Sequence, residues 1–249
     1  MRISLRPSPL VVVALTLVGA GAVMSMRPAG PEPEVEGFRA TATSAGPAPA
    51  GSPPRALAAE DFCRDAGYLC APLSYQSEVV LRRWVGHEGT IVVHVPLPEG
   101  EDPTTARALQ QAAVQGIRAW NNQPFPVLAD IRGDRNPLFA VEWKPSLGGS
   151  QIGQVRTRWS ERTGISVFSI ELGTRPPYGG SADPRQIRLT AAHEMGHALG
   201  LPHSDEPRDV MYPTNTATSM TARDYRSIEV LYAMPNGTRI TAPGGEPSN

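Results

Sequence analysis

The chain has 249 residues, of which 40% are hydrophobic, and this is enough to bury one sizeable core. Its 23 basic and 24 acidic residues give a net charge of −1, which excludes a strongly basic chain of the kind that binds nucleic acid. No nucleic-acid partner is therefore expected. The 26 prolines and 24 glycines are too many for a wholly compact fold, so part of the chain is expected to be linker.

The N-terminal segment has the pattern of an export signal. Arg2 and Arg6 precede an apolar run at residues 10–24, and Ala-Gly-Ala at residues 20–22 offers small residues for signal cleavage. An uncleaved anchor is the alternative, although a run of about 15 residues is short for a membrane span. We predict a signal peptide or anchor at residues 1–26. The protein would then be secreted or otherwise extracytoplasmic, in a periplasm or at a cell surface, with membrane attachment only if the segment stays uncleaved.

Composition divides the rest of the chain into three parts. Residues 27–57 are rich in Pro, Ala and Gly and have almost no large apolar side chains, which predicts a disordered linker. Residues 235–249 have a similar composition and are expected to form a flexible tail. A folded domain is expected between them, at residues 58–234, and to act as a monomer.

Cys63 and Cys70 are the only cysteines. In an exported chain, an even pair close in sequence is more often a disulfide than a metal or catalytic site. We predict a disulfide between them. The alternative is that one thiolate reaches a catalytic metal and keeps an enzyme latent, but the surrounding peptide does not clearly supply the context for this.

Alternating strand and helix patterns follow. Residues 90–95 are rich in β-branched side chains and are bounded by glycine and proline, which predicts a strand. A helix is predicted next, because Asp102 is a good N-cap, Pro103 suits the first helical position and apolar residues recur every three or four positions. The Asn-Asn-Gln-Pro run at residues 121–124 is expected to end it. Further strands are predicted at residues 127–131, 138–143, 154–159 and 165–172.

A second helix, predicted at residues 185–199, contains the pattern His193-Glu194-Met-Gly-His197. Histidines four residues apart on a helix project from one face, so their imidazoles can bind a single ion, while Glu194 is near the ion without being a ligand. This pattern alone also fits two surface histidines on an amphipathic helix.

The residues after this helix strengthen the prediction of a metal site. Gly200 follows His197 by three residues, where a helix can end in a left-handed conformation. His203 follows three residues later, and a turn at Gly200 can bring it back to complete a site with three nitrogen ligands. We therefore predict that His193, His197 and His203 bind one catalytic Zn²⁺.

The string HEMGHALGLPH at residues 193–203 matches the zinc-binding signature of the metzincins, and DVMYP at residues 209–213 resembles their Met-turn. The resemblance assigns Met211 to the apolar floor beneath the histidines, although ordinary core packing would also account for it. It implies an α+β, zincin-like fold. This fold has a mixed twisted β-sheet with an N-terminal helix, an active-site helix and a C-terminal helix.

Within the metzincins, the chain is most similar to the matrixins, the matrix metalloproteinase family. Residues 220–232 resemble the closing matrixin helix, with Asp224, Ile228, Leu231 and Tyr232 at the expected places. The resemblance covers roughly residues 90–234 and is most specific from His193 onward. It implies a zinc metalloendopeptidase whose substrate is a protein or peptide.

The chain also departs from the matrixin pattern. No histidine lies between His94 and His193, so no second, structural zinc is expected and calcium binding is in doubt. Arg223 replaces an acidic residue that is usual in the last helix, so any contact made there by a new N-terminus is expected to differ. His87 and His94 lack matching partners and are assigned no role.

The predicted mechanism follows from these residues. Three neutral imidazoles leave a fourth zinc position for water, whose pKa falls from about 15.7 towards about 7 on binding. Glu194 is predicted to accept the proton of that water as general base and to pass a proton to the leaving amine. Substrate is expected to add to a sheet edge, for which residues 154–159 are the candidate, and residues near Tyr212 and Pro213 would wall the pocket past the cleaved bond.

Two alternatives stay open. The first is a catalytically inactive zinc-binding module of the same fold, and the presence of Glu194 counts against it. The second is a metallohydrolase directed at a non-peptide substrate, which the zinc ligands alone do not exclude.

Overall fold

The computed structural model describes residues 57–175 and 179–242. The predicted signal or anchor segment at residues 1–26 lies outside these ranges, as does nearly all of the predicted linker. Within them, no helix combines the length and the apolar run that crossing a bilayer requires.

The elements in chain order are β1 (Leu57–Ala58), α1 (Ala59–Phe62), a 3-10 turn (Ala71–Ser74), β2 (Glu78–Val80), β3 (Ile91–His94), α2 (Pro103–Arg118), β4 (Val127–Asp130), β5 (Phe139–Lys144), β6 (Gly153–Ser160), β7 (Gly164–Gly173), α3 (Pro184–Ala198), α4 (Ala222–Ala233) and β8 (Arg239–Thr241).

Five strands form the main sheet, in the order β4-β3-β5-β7-β6. The neighbouring pairs from β4 to β7 are parallel, and β6 is antiparallel to β7. The sheet is therefore mixed, and β6 lies at one edge, where β7 is its one neighbouring strand among the described residues. This position matches the strand predicted at residues 154–159, which was the candidate for an accessible edge.

A second, three-stranded sheet has the order β1-β8-β2, with β8 parallel to β1 and antiparallel to β2. Strand β8 lies in residues 235–249, where the composition predicted a flexible tail. The structure differs because Ile240 is fully buried and pairs in register with Val79, which orders residues 239–241. The folded part thus extends past the predicted boundary at Met234.

The helices begin at side-chain caps. Asp102 accepts hydrogen bonds from the amides of Thr104 and Thr105 at 3.0 and 3.1 Å, and Asp183 caps α3 in the same way. Helix α4 begins with a capping box between Thr221 and Asp224. Each cap therefore determines the residue at which its helix begins, and with it the position of the apolar face of that helix.

Helix α2 packs against α3 and holds it on the sheet. Helix α2 ends at Arg118, three residues before the first asparagine of the predicted stop. It ends there because the next two amides, of Ala119 and Trp120, donate to the carbonyls three residues earlier (Gly116 and Ile117) and not four residues earlier as in an α-helix. The fully buried Trp120 donates from Nε1 to the carbonyl of Ala192 in α3, at 2.7 Å. This hydrogen bond joins the end of α2 to the middle of α3.

Cys63 and Cys70 form a disulfide in the structure. The loop that they close lies on α4: Arg226 donates from Nε to the carbonyl of Asp65 at 2.9 Å, and the amide of Tyr68 donates to Ser227 Oγ at 3.0 Å. The N-terminal part of the fold is therefore attached to the last helix.

Candidate metal centre

The structure brings His193, His197 and His203 together. Their ring centroids are 4.7 to 5.3 Å apart, and one nitrogen from each lies within 4.8 Å of the others. Within residues 57–175 and 179–242, this is the one group of three or more metal-ligating side chains. Three imidazole nitrogens at this spacing can hold a metal ion, and zinc prefers such nitrogen ligands.

Backbone carbonyls orient two of the rings. His193 Nδ1 lies 2.8 Å from the carbonyl oxygen of Val210, and His197 Nδ1 lies 2.8 Å from that of Leu201. A carbonyl can only accept, so Nδ1 carries the proton in both rings and Nε2 keeps a free lone pair. The donor set therefore fits a metal ion, and the tautomers are already those that a ligand needs.

The turn at Gly200 returns the chain to the site, as predicted. Gly200 has φ of 103°, and its amide donates to the carbonyl of His197 at 3.0 Å. A side chain here would overlap the carbonyl oxygen of Arg82. The chain can therefore turn towards His203 only with glycine at this position.

Burial keeps the histidines neutral. Desolvation lowers the pKa of His193 to about 4, against the weaker opposing effect of its bond to Val210. It lowers the pKa of His197 to about 3, with further lowering by the neighbouring histidines. The pKa of the exposed His203 is also lowered by desolvation. Neutral imidazoles are the form that binds metal, so the site is prepared for an ion at neutral pH.

Glu194 lies beside the histidines and is only 6% exposed. Its carboxylate lies against strand β6, since a methyl group added to Gly153 would come within 2.8 Å of Oε1. Among the described residues it has no hydrogen-bond partner, and desolvation raises its pKa to about 8. A carboxyl group at the cleft with a pKa near neutrality can both accept and return a proton.

Met211 is fully buried and packs against the active-site helix at Gly196, where an added Cβ would overlap its sulfur. Its carbonyl accepts from the amide of Ser204 at 2.8 Å. The segment after His203 is thus joined to the segment that carries Met211.

A buried polar network supports this region, and no local sequence pattern indicates it. Asp209, 2% exposed, accepts from Thr221 Oγ1 at 2.7 Å and from Arg223 Nη1 at 2.8 Å. Asp224 accepts from the amide of Val210 at 3.2 Å and from the hydroxyl of Tyr68 at 3.1 Å. From the sequence, Arg223 was expected only to alter contacts with a new N-terminus. In the structure it also belongs to the hydrogen-bond network that supports the loop carrying Val210 and Met211.

The two remaining histidines lie apart from the group of three. His94 Nδ1 is 3.0 Å from the carbonyl of Asp130 in the neighbouring strand. His87 packs edge-on against Phe125, with ring centroids 5.2 Å apart. Neither side chain belongs to the group of three histidines, and their lack of a role stays a prediction.

A cleft passes the histidines along β6. On one side, residues 150–155 of the edge strand face Tyr212, Pro213 and Asn215, and they enclose about 460 Å³ with Glu194. Asn215 Nδ2 donates to Thr190 Oγ1 at 2.8 Å, which fixes part of this wall. The residues predicted to wall a pocket are therefore beside the predicted general base.

Comparison with known proteins identifies relatives of this part of the chain. A family model described as Matrixin matches residues 131–233. Macrophage metalloelastase of Rattus norvegicus is 45% identical over 67 residues, which are 24% of this chain and 14% of that protein. Matrilysin of Felis catus is 30% identical over 105 residues, which are 40% of this chain and 33% of that protein.

A plant protein, metalloendoproteinase 2-MMP of Arabidopsis thaliana, is 40% identical over 62 residues, which are 23% of this chain and 16% of that protein. The matched segments thus span about a third or less of the length of these curated relatives. The family match contains all three clustered histidines.

Proposed function

We propose that this chain, which is similar to the matrixins over residues 131–233, is a zinc-dependent endopeptidase. The observation that carries the proposal is the arrangement of His193, His197 and His203 around one point, with the buried carboxyl of Glu194 beside them. This carboxyl group has no hydrogen-bond partner among the described residues. A module that only bound zinc would not need such a group beside the ion.

The three histidines would hold one zinc ion through the nitrogens that face one another. A zinc ion in such a site supplies Lewis-acid polarisation of a carbonyl and lowers the pKa of water. The carbonyls of Val210 and Leu201 fix the rings of His193 and His197, so little reorganisation is needed on binding. We propose a single zinc ion per chain, held by these three side chains.

Glu194 would act as the general base and then as the acid. Its position against Gly153 keeps the carboxyl group at the edge of β6, where a substrate backbone would lie. Burial raises its pKa to about 8 in the protein alone, and a nearby cation would lower it again by favouring the carboxylate. The side chain can then accept a proton from water and deliver it to the amine that leaves.

Substrate would be a protein or peptide added as a strand to β6. The unpaired side of this edge strand offers backbone donors and acceptors, so an extended peptide can bind by main-chain hydrogen bonds. Side-chain pockets on either side of the histidines would then choose the sequence. We further propose that the chain is exported and acts as a monomer without a second, structural zinc, on the basis of the sequence features described above.

The test compares purified wild-type chain with Glu194→Gln. We expect one zinc per chain by metal analysis in both, and cleavage of a peptide library by the wild type that a chelator abolishes and added zinc restores. The variant should lose about 10²–10⁴ in rate, because only proton transfer is removed. Unchanged hydrolysis by Glu194→Gln would refute the assigned role, and a wild type that binds zinc but cleaves no peptide would favour a binding module.

A variant with both His197→Ala and His203→Ala serves as the control for the ligand set. We expect it to bind no zinc at concentrations that saturate the wild type. Retention of one tightly bound zinc by this variant, or two zinc ions in the wild type, would show that the ligands have been assigned wrongly.

A further inference from the structure

A second groove extends from the histidines in the other direction along β6. We call it the Trp159 groove: it is lined by seven residues between Pro72 and Arg82, by Val155, Thr157 and Trp159 of β6, by Ile165 of β7, and by five residues between His197 and His203. It encloses about 380 Å³ and shares His197, His203 and Val155 with the pocket on the Tyr212 side. The two grooves form one continuous cleft with the histidines between them.

The outer wall of this groove comes from residues 72–82, which lie outside the range 131–233 that matches the matrixin model. The three-stranded sheet holds this wall in place. The amide of Leu81 donates to the carbonyl of Thr238 at 2.8 Å, and the amide of Gly237 donates to the carbonyl of Leu81 at 2.8 Å. The wall is thus a feature of this chain and not of the matched family segment.

The aromatic side of the groove is also fixed. Trp159 donates from Nε1 to Asn236 Oδ1 at 2.9 Å, and the amide of Arg83 donates to the same oxygen at 3.1 Å. The guanidinium of Arg82 lies over the Trp159 ring, 5.2 Å from its centroid. A ligand that enters the groove would meet a surface that is already ordered, which lowers the entropic cost of binding.

The lining indicates what kind of ligand would bind. Val155, Ile165 and Leu201 supply apolar surface, and Tyr75 at the groove is 69% exposed. Arg82 is the one lining side chain with a permanent charge, and it has no hydrogen-bond or ion-pair partner among residues 57–175 and 179–242. The groove therefore favours a large apolar side chain next to a carboxylate.

The direction of β6 indicates which half of a bound peptide would lie in the Trp159 groove. Strand β6 begins at Gly153, which lines the pocket that also contains Tyr212, Pro213 and Asn215 (the Tyr212 pocket). It ends at Ser160, directly after Trp159 of the Trp159 groove. An added strand pairs more often in the antiparallel sense, so it would pass the Trp159 groove first and the Tyr212 pocket later. Its residues N-terminal to the cleaved bond would lie in the Trp159 groove.

We propose that the Trp159 groove binds the N-terminal half of a peptide substrate and selects a large apolar residue flanked by an acidic one. The proposal rests on the proposed function in taking the ligand to be a peptide that is cleaved at the histidines. Continuity with the edge of β6 and the unpartnered charge of Arg82 favour this ligand over any other.

The test measures binding, so that it does not depend on catalysis. Four dye-labelled peptides, identical except for Leu or Gly and for Asp or Lys at the two selected positions, are titrated by fluorescence anisotropy into the zinc-loaded full chain carrying Glu194→Gln. We expect Leu to bind about tenfold more tightly than Gly, and Asp about threefold more tightly than Lys.

Two further substitutions separate the two preferences. Arg82→Glu should reverse the preference between Asp and Lys and leave the preference for Leu. Tyr75→Ala, at an exposed position, should weaken the preference for Leu and leave the preference for Asp. Arg107→Glu makes the same charge change on the exposed face of α2, outside both grooves, and should alter neither ratio.

Equal binding of the four peptides, absence of binding, or an Asp-to-Lys ratio unchanged by Arg82→Glu would overturn the proposal. Mass spectrometry of wild-type digests tests the direction: cleavage on the C-terminal side of the Leu-Asp pair supports it, and cleavage on the N-terminal side overturns it. A wild type that cleaves no peptide would refute the proposed function, whereas the binding ratios would still decide what the groove selects.

Discussion

His193 and Asp224 contact the same residue, Val210, from its two ends. His193 donates from Nδ1 to the carbonyl of Val210 at 2.8 Å, and the amide of Val210 donates to Asp224 Oδ2 at 3.2 Å. The hydroxyl of Tyr68 donates to the other carboxylate oxygen of Asp224 at 3.1 Å. Because Cys63 and Cys70 close the loop that carries Tyr68, the disulfide loop is linked through hydrogen bonds to a predicted zinc ligand.

Tyr68→Phe removes one donor from Asp224 and should lower the affinity for zinc. Burial raises the pKa of Tyr68 well above its usual value, so the hydroxyl is a donor at any ordinary pH. Substitutions that disturb the partners of a metal ligand typically cost about 10- to 100-fold in affinity. Tyr68 contacts Asp224 and not Val210 itself, so we expect a loss at the lower end of this range, about tenfold. The zinc affinity is measured by competition with a chromogenic chelator.

Tyr75→Phe is the matched control, since it removes a hydroxyl from an exposed tyrosine. It should leave zinc affinity unchanged. If Tyr68→Phe also binds zinc like the wild type while its unfolding free energy falls, the contact with Asp224 stabilises the fold without positioning His193.

Glu194 should make the stability of the metal-free protein depend on pH. Its pKa rises from 4.5 to about 8 on folding, so its contribution is complete below pH 4.5 and is lost as the pH rises to about 8. The lowered pKa values of His193 and His197 act in the opposite sense, but only below about pH 6.5. Between pH 6.5 and 8 the effect of Glu194 is therefore separate from that of these two histidines.

Urea unfolding of the metal-free chain should show the unfolding free energy of the wild type falling with pH in this range relative to Glu194→Gln. The difference should change by up to about 1.4 kcal/mol per pH unit, the value for one proton. Parallel pH profiles for the two proteins would mean that Glu194 is not held in a desolvated position.

Gly200→Ala should damage both the fold and the metal site. The positive φ costs about 1–2 kcal/mol for any L-residue, and the added methyl group would also overlap the carbonyl of Arg82. Gly86→Ala isolates the first effect, because Gly86 has φ of 68° with no atom within 4 Å of an added Cβ. We expect a loss of about 1 kcal/mol for Gly86→Ala and more than twice that for Gly200→Ala, by urea unfolding.

Zinc titration of the same two variants separates their effects on the site. Gly200→Ala should bind zinc at least tenfold more weakly than Gly86→Ala, because the turn that returns His203 is displaced. Equal affinities would show that the turn can be made in another way.

The cysteine pair is tested by thiol titration of the unfolded, unreduced chain, in which we expect no free thiol. Reduction should lower the unfolding free energy by about 2–3 kcal/mol, the entropic value for a loop closed at a sequence separation of 7. Two reactive thiols before reduction would contradict the disulfide and favour a latent, metal-bound cysteine.

The main elements could be predicted because their signals are local. The strand pattern of residues 165–172 and the N-cap at Asp102 depend only on nearby side chains, and the strands and helices formed within a few residues of the predicted positions. The three histidines were likewise identified from spacing, since the helix and the turn at Gly200 define their geometry.

The three-stranded sheet could not be predicted in the same way. Its strands β1, β2 and β8 have two or three residues each, and β8 lies in a segment rich in proline and glycine. Their pairing joins positions about 160 residues apart, such as Val79 and Ile240. The hydrogen bond between Tyr68 and Asp224 is equally distant in sequence, so no local pattern indicates it.

The parallel pairing of β1 with β8 determines how the fold would respond to mechanical force. The chain enters the described region at Leu57 and leaves soon after Thr241, and these residues belong to neighbouring strands that point the same way. Tension applied between the two points would slide one strand along the other, so the hydrogen bonds of this pair would be loaded together in shear. The histidine centre would be reached by that force only after the small sheet had separated.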